Sequence, residues 1–102
     1  MILIKIGDEE RQFEAADERW ITEQVNRRRI DGVPACVRIV IRQGDLNMTL
    51  STPGCSSSGG AGRQPNSQET AILELWEHRG LNDATFSVGN LVAFLHQLKR
   101  NL

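Results

Sequence analysis

The stretch from residue 35 to residue 51 most constrains the fold, because apolar and polar residues alternate along two arms around Gly44. Alternation with period 2 is typical of a strand that buries one face. A turn at either Gln43-Gly44 or Gly44-Asp45 places apolar residues opposite apolar ones, so the pattern predicts a β-hairpin and leaves its register open. The residues of the apolar face are Val37, Ile39, Ile41, Leu46, Met48 and Leu50.

The spacing of apolar residues changes within the first thirty residues, from that of a strand to that of a helix. Ile2–Ile6 alternates apolar and other residues and predicts a strand. Residues 11–14 could return as a second, short strand with Phe13 facing inward. From Asp17 to about residue 29 the apolar spacing is that of an amphipathic helix, with Asp17 as its N-cap.

Capping residues mark the ends of the helices. Residues 31–34, Asp-Gly-Val-Pro, end the first helix, because proline cannot continue it. Asn66 followed by Glu69 predicts a capping box at the start of a second helix, and Gly80 suits its C′ position. Ser87 is the predicted N-cap of a last helix. The short link between these two helices predicts antiparallel neighbours.

The predicted order is therefore β(β)αββ, a loop, then αα. We expect a small two-layer α+β fold with a mainly antiparallel sheet, and a single domain over residues 1–102. With the second strand, the element order resembles the β-grasp arrangement of ubiquitin-like domains, in order only. A split βαβ arrangement fits nearly as well.

Residues 52–65 form a Gly/Ser-rich loop, and loops of this length are usually functional or disordered. We expect residues 54–64 to be disordered without a ligand, because glycine and serine bury little apolar surface. The alternative is a phosphate or anion site, in which the loop and the following helix N-terminus supply backbone N–H groups. The loop lacks the lysine of the GxxxxGK[ST] pattern. The candidate ligand-binding residues are Gly59, Gly60, Gly62 and Arg63.

The two cysteines, Cys36 and Cys55, lie in no CxxC or Cys/His cluster. We expect both to be free thiols, which favours a reducing, cytoplasmic location. No basic residue adjoins Cys55 to lower its pKa, so we do not expect it to be a catalytic nucleophile. His78 and His96 do not have the spacing of zinc ligands. We therefore predict no metal, no cofactor and a non-enzymatic protein.

The last helix carries more apolar residues than one sheet face needs. Val88, Val92 and Phe94 widen its apolar arc, which predicts an exposed surface for a protein partner or for self-association. Arg38 and Arg42, on the polar face of the hairpin, extend the predicted partner-binding set. We expect Phe94→Ala to weaken association and to cost little stability.

A basic patch is a further candidate. Arg27, Arg28 and Arg29 could join Arg38 and Arg42 in contacting nucleic acid. The formal net charge of −1 argues against this, and the helix dipole alone favours basic residues at a helix C-terminus. No apolar run approaches the roughly 20 residues of a membrane span.

Together these features predict a non-enzymatic protein-interaction or regulatory module. The alternative is a phosphate-ligand domain, and the second alternative is weak nucleic-acid binding through the arginines.

Overall fold

A computed structural model of the chain describes residues 1–29, 35–55 and 65–102. It confirms the predicted α+β order, including the second strand, which lies slightly earlier than expected. The predicted end of the first helix at residues 31–34 lies outside the described residues. The described elements are β1 (Ile2–Ile6), β2 (Glu9–Gln12), α1 (Glu18–Arg28), β3 (Val37–Gln43), β4 (Leu46–Ser51), α2 (Ser67–His78) and α3 (Val88–Asn101).

The four strands form one sheet in the order β2-β1-β3-β4, and each neighbouring pair is antiparallel. Gln43 pairs with Leu46, which places the hairpin turn at Gly44-Asp45 and resolves the register that the sequence left open. Gly44 has φ 59°, and Gly7 in the β1–β2 turn has φ 63°. Both turns use the left-handed region, which glycine enters without a Cβ penalty.

The strands on either side of α1 run parallel to each other. β2 and β3 are each antiparallel to β1, which lies between them. This is a split βαβ unit, one of the two arrangements that the element order left open.

One core lies between the sheet and the three helices. The inward side chains of the sheet are almost fully buried, and each helix contributes one apolar face, as expected for two layers. Residues of this core include Ile4, Ile6, Val37, Ile39, Ile41, Leu50, Ile21, Val25, Ile72, Trp76, Leu91, Phe94 and Leu95.

Both ends of α2 follow the predicted chemistry. The side-chain oxygen of Asn66 accepts from the backbone N–H of Glu69 at 2.8 Å, and the Glu69 carboxylate accepts from the backbone N–H of Asn66 at 3.0 Å. These reciprocal bonds confirm the capping box. At the other end Gly80 has φ 72°, and the N–H of Leu81 donates to the carbonyl of Trp76 at 3.2 Å. This is the Schellman pattern.

Two other caps differ from the prediction. Asp17 and Ser87 occupy the N-cap positions of α1 and α3, but neither side chain makes a capping hydrogen bond. The Asp17 carboxylate instead accepts from the backbone N–H of Glu14 at 2.9 Å and from the Arg11 guanidinium at 3.4 Å. It therefore stabilises the turn before the helix rather than the first turn of α1.

The link between α2 and α3 is held by Asp83. Its Oδ1 accepts from the backbone N–H and from the hydroxyl of Thr85, both at 2.8 Å, and these bonds hold the pKa of Asp83 below its usual value. The link brings the two helices side by side. Trp76 of α2 packs edge-on against Phe94 of α3, and Arg79 donates to Gln97 at 2.9 Å.

Candidate functional site

The sheet face opposite the helices is the main exposed feature of the described structure. Successive side chains of a strand point to opposite faces, so the residues between the buried positions all point away from the core. Most of them are exposed, and the rest are half-buried. We call this set the open face: Leu3, Lys5, Glu10, Gln12, Arg38, Val40, Arg42, Asn47, Thr49 and Ser51.

The centre of the open face is apolar and its surroundings are polar. Leu3 on β1 lies directly opposite Val40 on β3, and both are half-buried. Gln12 and Thr49 continue the same row on β2 and β4. A small apolar centre inside a polar rim is the usual anatomy of a protein–protein interface.

The open face is more basic than the rest of the chain. Lys5, Arg38 and Arg42 outnumber Glu10, which gives it a formal charge of about +2 by side-chain counting, in a chain whose net charge is −1. Lys5 is paired directly with Arg38 on one side and with Glu10 on the other.

A disulfide joins Cys36 and Cys55 at the end of the open face where β3 begins, with a Cα–Cα distance of 4.5 Å. The prediction of two free thiols is therefore wrong. Thr52 brings the chain back beside β3: its N–H donates to the carbonyl of Val37 at 3.0 Å, and its hydroxyl donates to the carbonyl of Ala35 at 2.9 Å. The β3–β4 register, continued by two residues, places Cys36 opposite residue 53, two positions before Cys55, so a turn at Gly44-Asp45 is the sequence signal that predicts this proximity.

The disulfide changes two arguments drawn from the cysteines. Cys55, bonded to Cys36, has no thiolate to act as a nucleophile. Disulfides persist mainly in oxidising compartments, so the argument from free thiols to a cytoplasmic location no longer holds.

The apolar surface predicted on α3 does not include Phe94. Phe94 is fully buried, with its ring 5.2 Å from that of Trp76. Val88 and Val92 are half-buried and pack against the core. α3 contacts both α1 and α2, so the wide apolar arc packs against two neighbouring helices, and a role of Val88 and Val92 in partner binding stays a prediction.

The three consecutive arginines do not form one patch. Arg27 is exposed, but Arg28 is half-buried with its guanidinium so close over Gly7 that a Cβ there would lie 2.5 Å from it. Arg29 donates to the carbonyl of Phe86, and its guanidinium lies 4.5 Å from the centre of the Phe86 ring. Arg28 and Arg29 therefore pack within the fold.

The candidate anion-binding residues Gly59, Gly60, Gly62 and Arg63 lie outside the described residues, as does most of the loop expected to be disordered. Both expectations stay predictions. Within the described ranges no three His, Cys, Asp or Glu side chains are placed to hold a metal ion. His96 contacts Glu18 through Nε2, and its ring lies 5.4 Å from that of Phe13.

An apolar groove of about 350 Å³ separates the N-terminal half of α2 from the C-terminal half of α3. Ala71, Leu75 and Leu102 line it, and none of its lining residues is titratable. Three amide side chains, Gln68, Gln97 and Asn101, also line it, and that of Gln97 already accepts from Arg79.

Comparison with protein-family models, curated proteins and solved structures finds no match to this chain. Among the described residues, no helix combines the length and the apolar character that a membrane crossing needs. The argument for function therefore rests on the open face.

Proposed function

We propose that this chain is a non-enzymatic protein-interaction module that binds an acidic partner protein on its open face. The observation that carries the proposal is the apolar pair Leu3 and Val40, surrounded by Lys5, Arg38 and Arg42 on an exposed sheet surface.

The shape of this surface favours a macromolecular partner. Small ligands bind in concave pockets, whereas the open face is one side of a four-stranded sheet. Arginine is enriched at protein interfaces because its planar guanidinium can bind carboxylates in bidentate geometry.

Its composition favours protein over nucleic acid. No aromatic side chain lies on the open face, so the face has no platform on which bases could stack. Arg28 and Arg29, which would have extended a basic patch, contact Gly7 and Phe86 instead.

An NMR titration tests the proposal. We expect a short Glu-rich peptide to shift the amide signals of β1 and β3, and a Lys-rich peptide of the same length to leave them unchanged. The binding should weaken as salt rises, because screening reduces attraction between exposed charges. Absence of any shift with the Glu-rich peptide, or equal shifts with single-stranded DNA, would contradict the proposal.

A matched pair of charge reversals locates the site. Arg42→Glu should weaken peptide binding about tenfold, the loss expected for one charge-assisted contact. Arg27→Glu makes the same change in net charge on an exposed residue of α1, away from the open face, and should leave binding nearly unchanged. An equal loss in both variants would mean that only net charge matters and that the open face is not the site.

A further inference from the structure

Among the described strands β4 lies at one edge of the sheet, and its register shows which of its backbone groups have no ladder partner in the described part of the chain. Gln43 and Leu46 pair across a two-residue turn, so Leu46 and every second residue after it point their N–H and C=O groups toward β3. The residues between them point outward. Asn47 confirms this, because its N–H donates to the Glu69 carboxylate at 3.2 Å, on the side away from β3. By the same alternation the backbone groups of Thr49 and Ser51 face outward.

The two edges of the sheet are protected very differently. The edge strand β2, Glu9–Gln12, carries charged residues at three of its four positions. Charged edges discourage pairing with another strand. β4, Leu46–Ser51, has no charge and no proline, and its register with β3 is continuous, without a bulge. An edge of this kind is suited to pair with a further strand.

The side chains beside this edge indicate which strand would suit it. On the helix side Met48 is half-buried at the margin of the core, and on the open face Thr49 and Ser51 are exposed. A matching strand would alternate apolar side chains toward the helices with small polar ones toward the open face. β4 itself has this alternation.

We propose that two copies of this chain pair edge to edge through β4, antiparallel, with Leu50 beside Leu50 of the second copy on the twofold axis. In this register Thr49 of each copy lies opposite Ser51 of the other, and the two pairs exchange four main-chain hydrogen bonds, two per pair as in any antiparallel ladder. The two sheets then form one continuous sheet.

The proposed register also suits the residues at its ends. At one end the Glu69 carboxylate already accepts from the outward N–H of Asn47, so the pairing stops before Asn47. At the other end the N–H of Cys55 donates to the carbonyl of Thr52 at 3.0 Å, and this turn leads the chain out of the strand after Ser51. The new ladder is therefore limited to Thr49, Leu50 and Ser51.

We expect the association to be weak. The few edge hydrogen bonds and the apolar contacts of Met48 must offset the entropy lost when two molecules join. Monomer and dimer should therefore exchange, with the dimer gaining population between micromolar and millimolar concentration.

Sedimentation velocity over that concentration range tests the dimer with a matched pair of variants. Thr49→Pro removes an outward N–H, and a proline at such an edge position leaves the β3–β4 ladder intact. Thr49→Val keeps the N–H. We expect wild type and Thr49→Val to dimerise alike and Thr49→Pro to stay monomeric. Circular dichroism should show the same fold in all three.

Amide hydrogen exchange of the wild-type protein is a second measurement that needs no variant. The Thr49 and Ser51 amides should become more protected as concentration rises, while the outward amides of Glu10 and Gln12 on β2 should not. A wild-type protein that is monomeric throughout, or a folded Thr49→Pro that dimerises normally, would overturn the proposal. If Thr49→Pro does not fold, the wild-type measurement decides: hydrogen exchange of the Thr49 and Ser51 amides that does not change with protein concentration overturns the proposal. The Arg42→Glu variant tests peptide binding to the open face, and the Thr49 variants test dimerisation through β4. Either proposal can therefore fail while the other stands.

Discussion

At the scale of single residues, Phe94 is buried in the core, although the apolar pattern of α3 alone predicted that it would be exposed. Its ring is fully buried and packs edge-on against Trp76, a geometry that aromatic pairs prefer. We expect Phe94→Ala to lower the free energy of unfolding by about 3–5 kcal/mol, as truncation of a buried phenylalanine leaves a cavity. Val92→Ala, on the same helix but half-buried, should cost clearly less. Denaturant unfolding measures both, and equal costs would show that Phe94 is not the core residue described.

Two glycines should respond in opposite directions to alanine. Gly7 has φ 63° and the Arg28 guanidinium over it, so Gly7→Ala should destabilise the protein by about 1–2 kcal/mol through backbone strain. Gly89 lies in the first turn of α3, where an added Cβ would meet only the Ser87 hydroxyl, at 3.3 Å. That hydroxyl makes no capping bond and can rotate away, so Gly89→Ala should stabilise by about 0.5–1 kcal/mol. Thermal unfolding of the two variants decides the signs.

At the scale of elements, the helix starts differ in how much their N-caps contribute. Asn66 makes a reciprocal capping box with Glu69, whereas the Ser87 side chain makes no cap bond. We expect Asn66→Ala to lower stability by about 1–2 kcal/mol and Ser87→Ala to be nearly neutral. Chemical denaturation compares them. A loss at Ser87 as large as that at Asn66 would mean that the Ser87 hydroxyl caps α3 in solution.

Glu69 also joins two elements. Its carboxylate is almost fully buried and accepts from Asn66 of its own helix and from Asn47 of β4. One side chain therefore caps α2 and satisfies an outward N–H at the sheet edge. This contact leaves only the later part of β4 open for the pairing proposed above.

At the scale of the whole molecule, the Cys36–Cys55 disulfide ties the segment after β4 to the start of β3. Closing a loop of this length should stabilise the fold by about 3 kcal/mol, mainly by restricting the unfolded chain. We expect the Cys36→Ser/Cys55→Ser variant to lose about that much in denaturant unfolding. Reduction should have the same effect on wild type and none on the variant. The native protein should show no reactive thiol in a thiol titration, and two reactive thiols would contradict the structure.

The sequence by itself determined the elements, because their signals are local. The alternation of the hairpin, the Asn66–Glu69 box and Gly80 each depend on residues within a few positions of one another, and each was found as predicted. Arg38 and Arg42 were likewise placed on the polar face from alternation alone.

The tertiary structure alone decided what those elements contact. Phe94 became core because α2 lies beside α3. Arg28 and Arg29 pack against Gly7 and Phe86, which are far from them in sequence. The local sequence pattern specifies which face of a helix or strand is apolar. Whether a side chain on that face is buried, and what it contacts, depends on which distant segment covers the face. Only the folded chain brings those segments together.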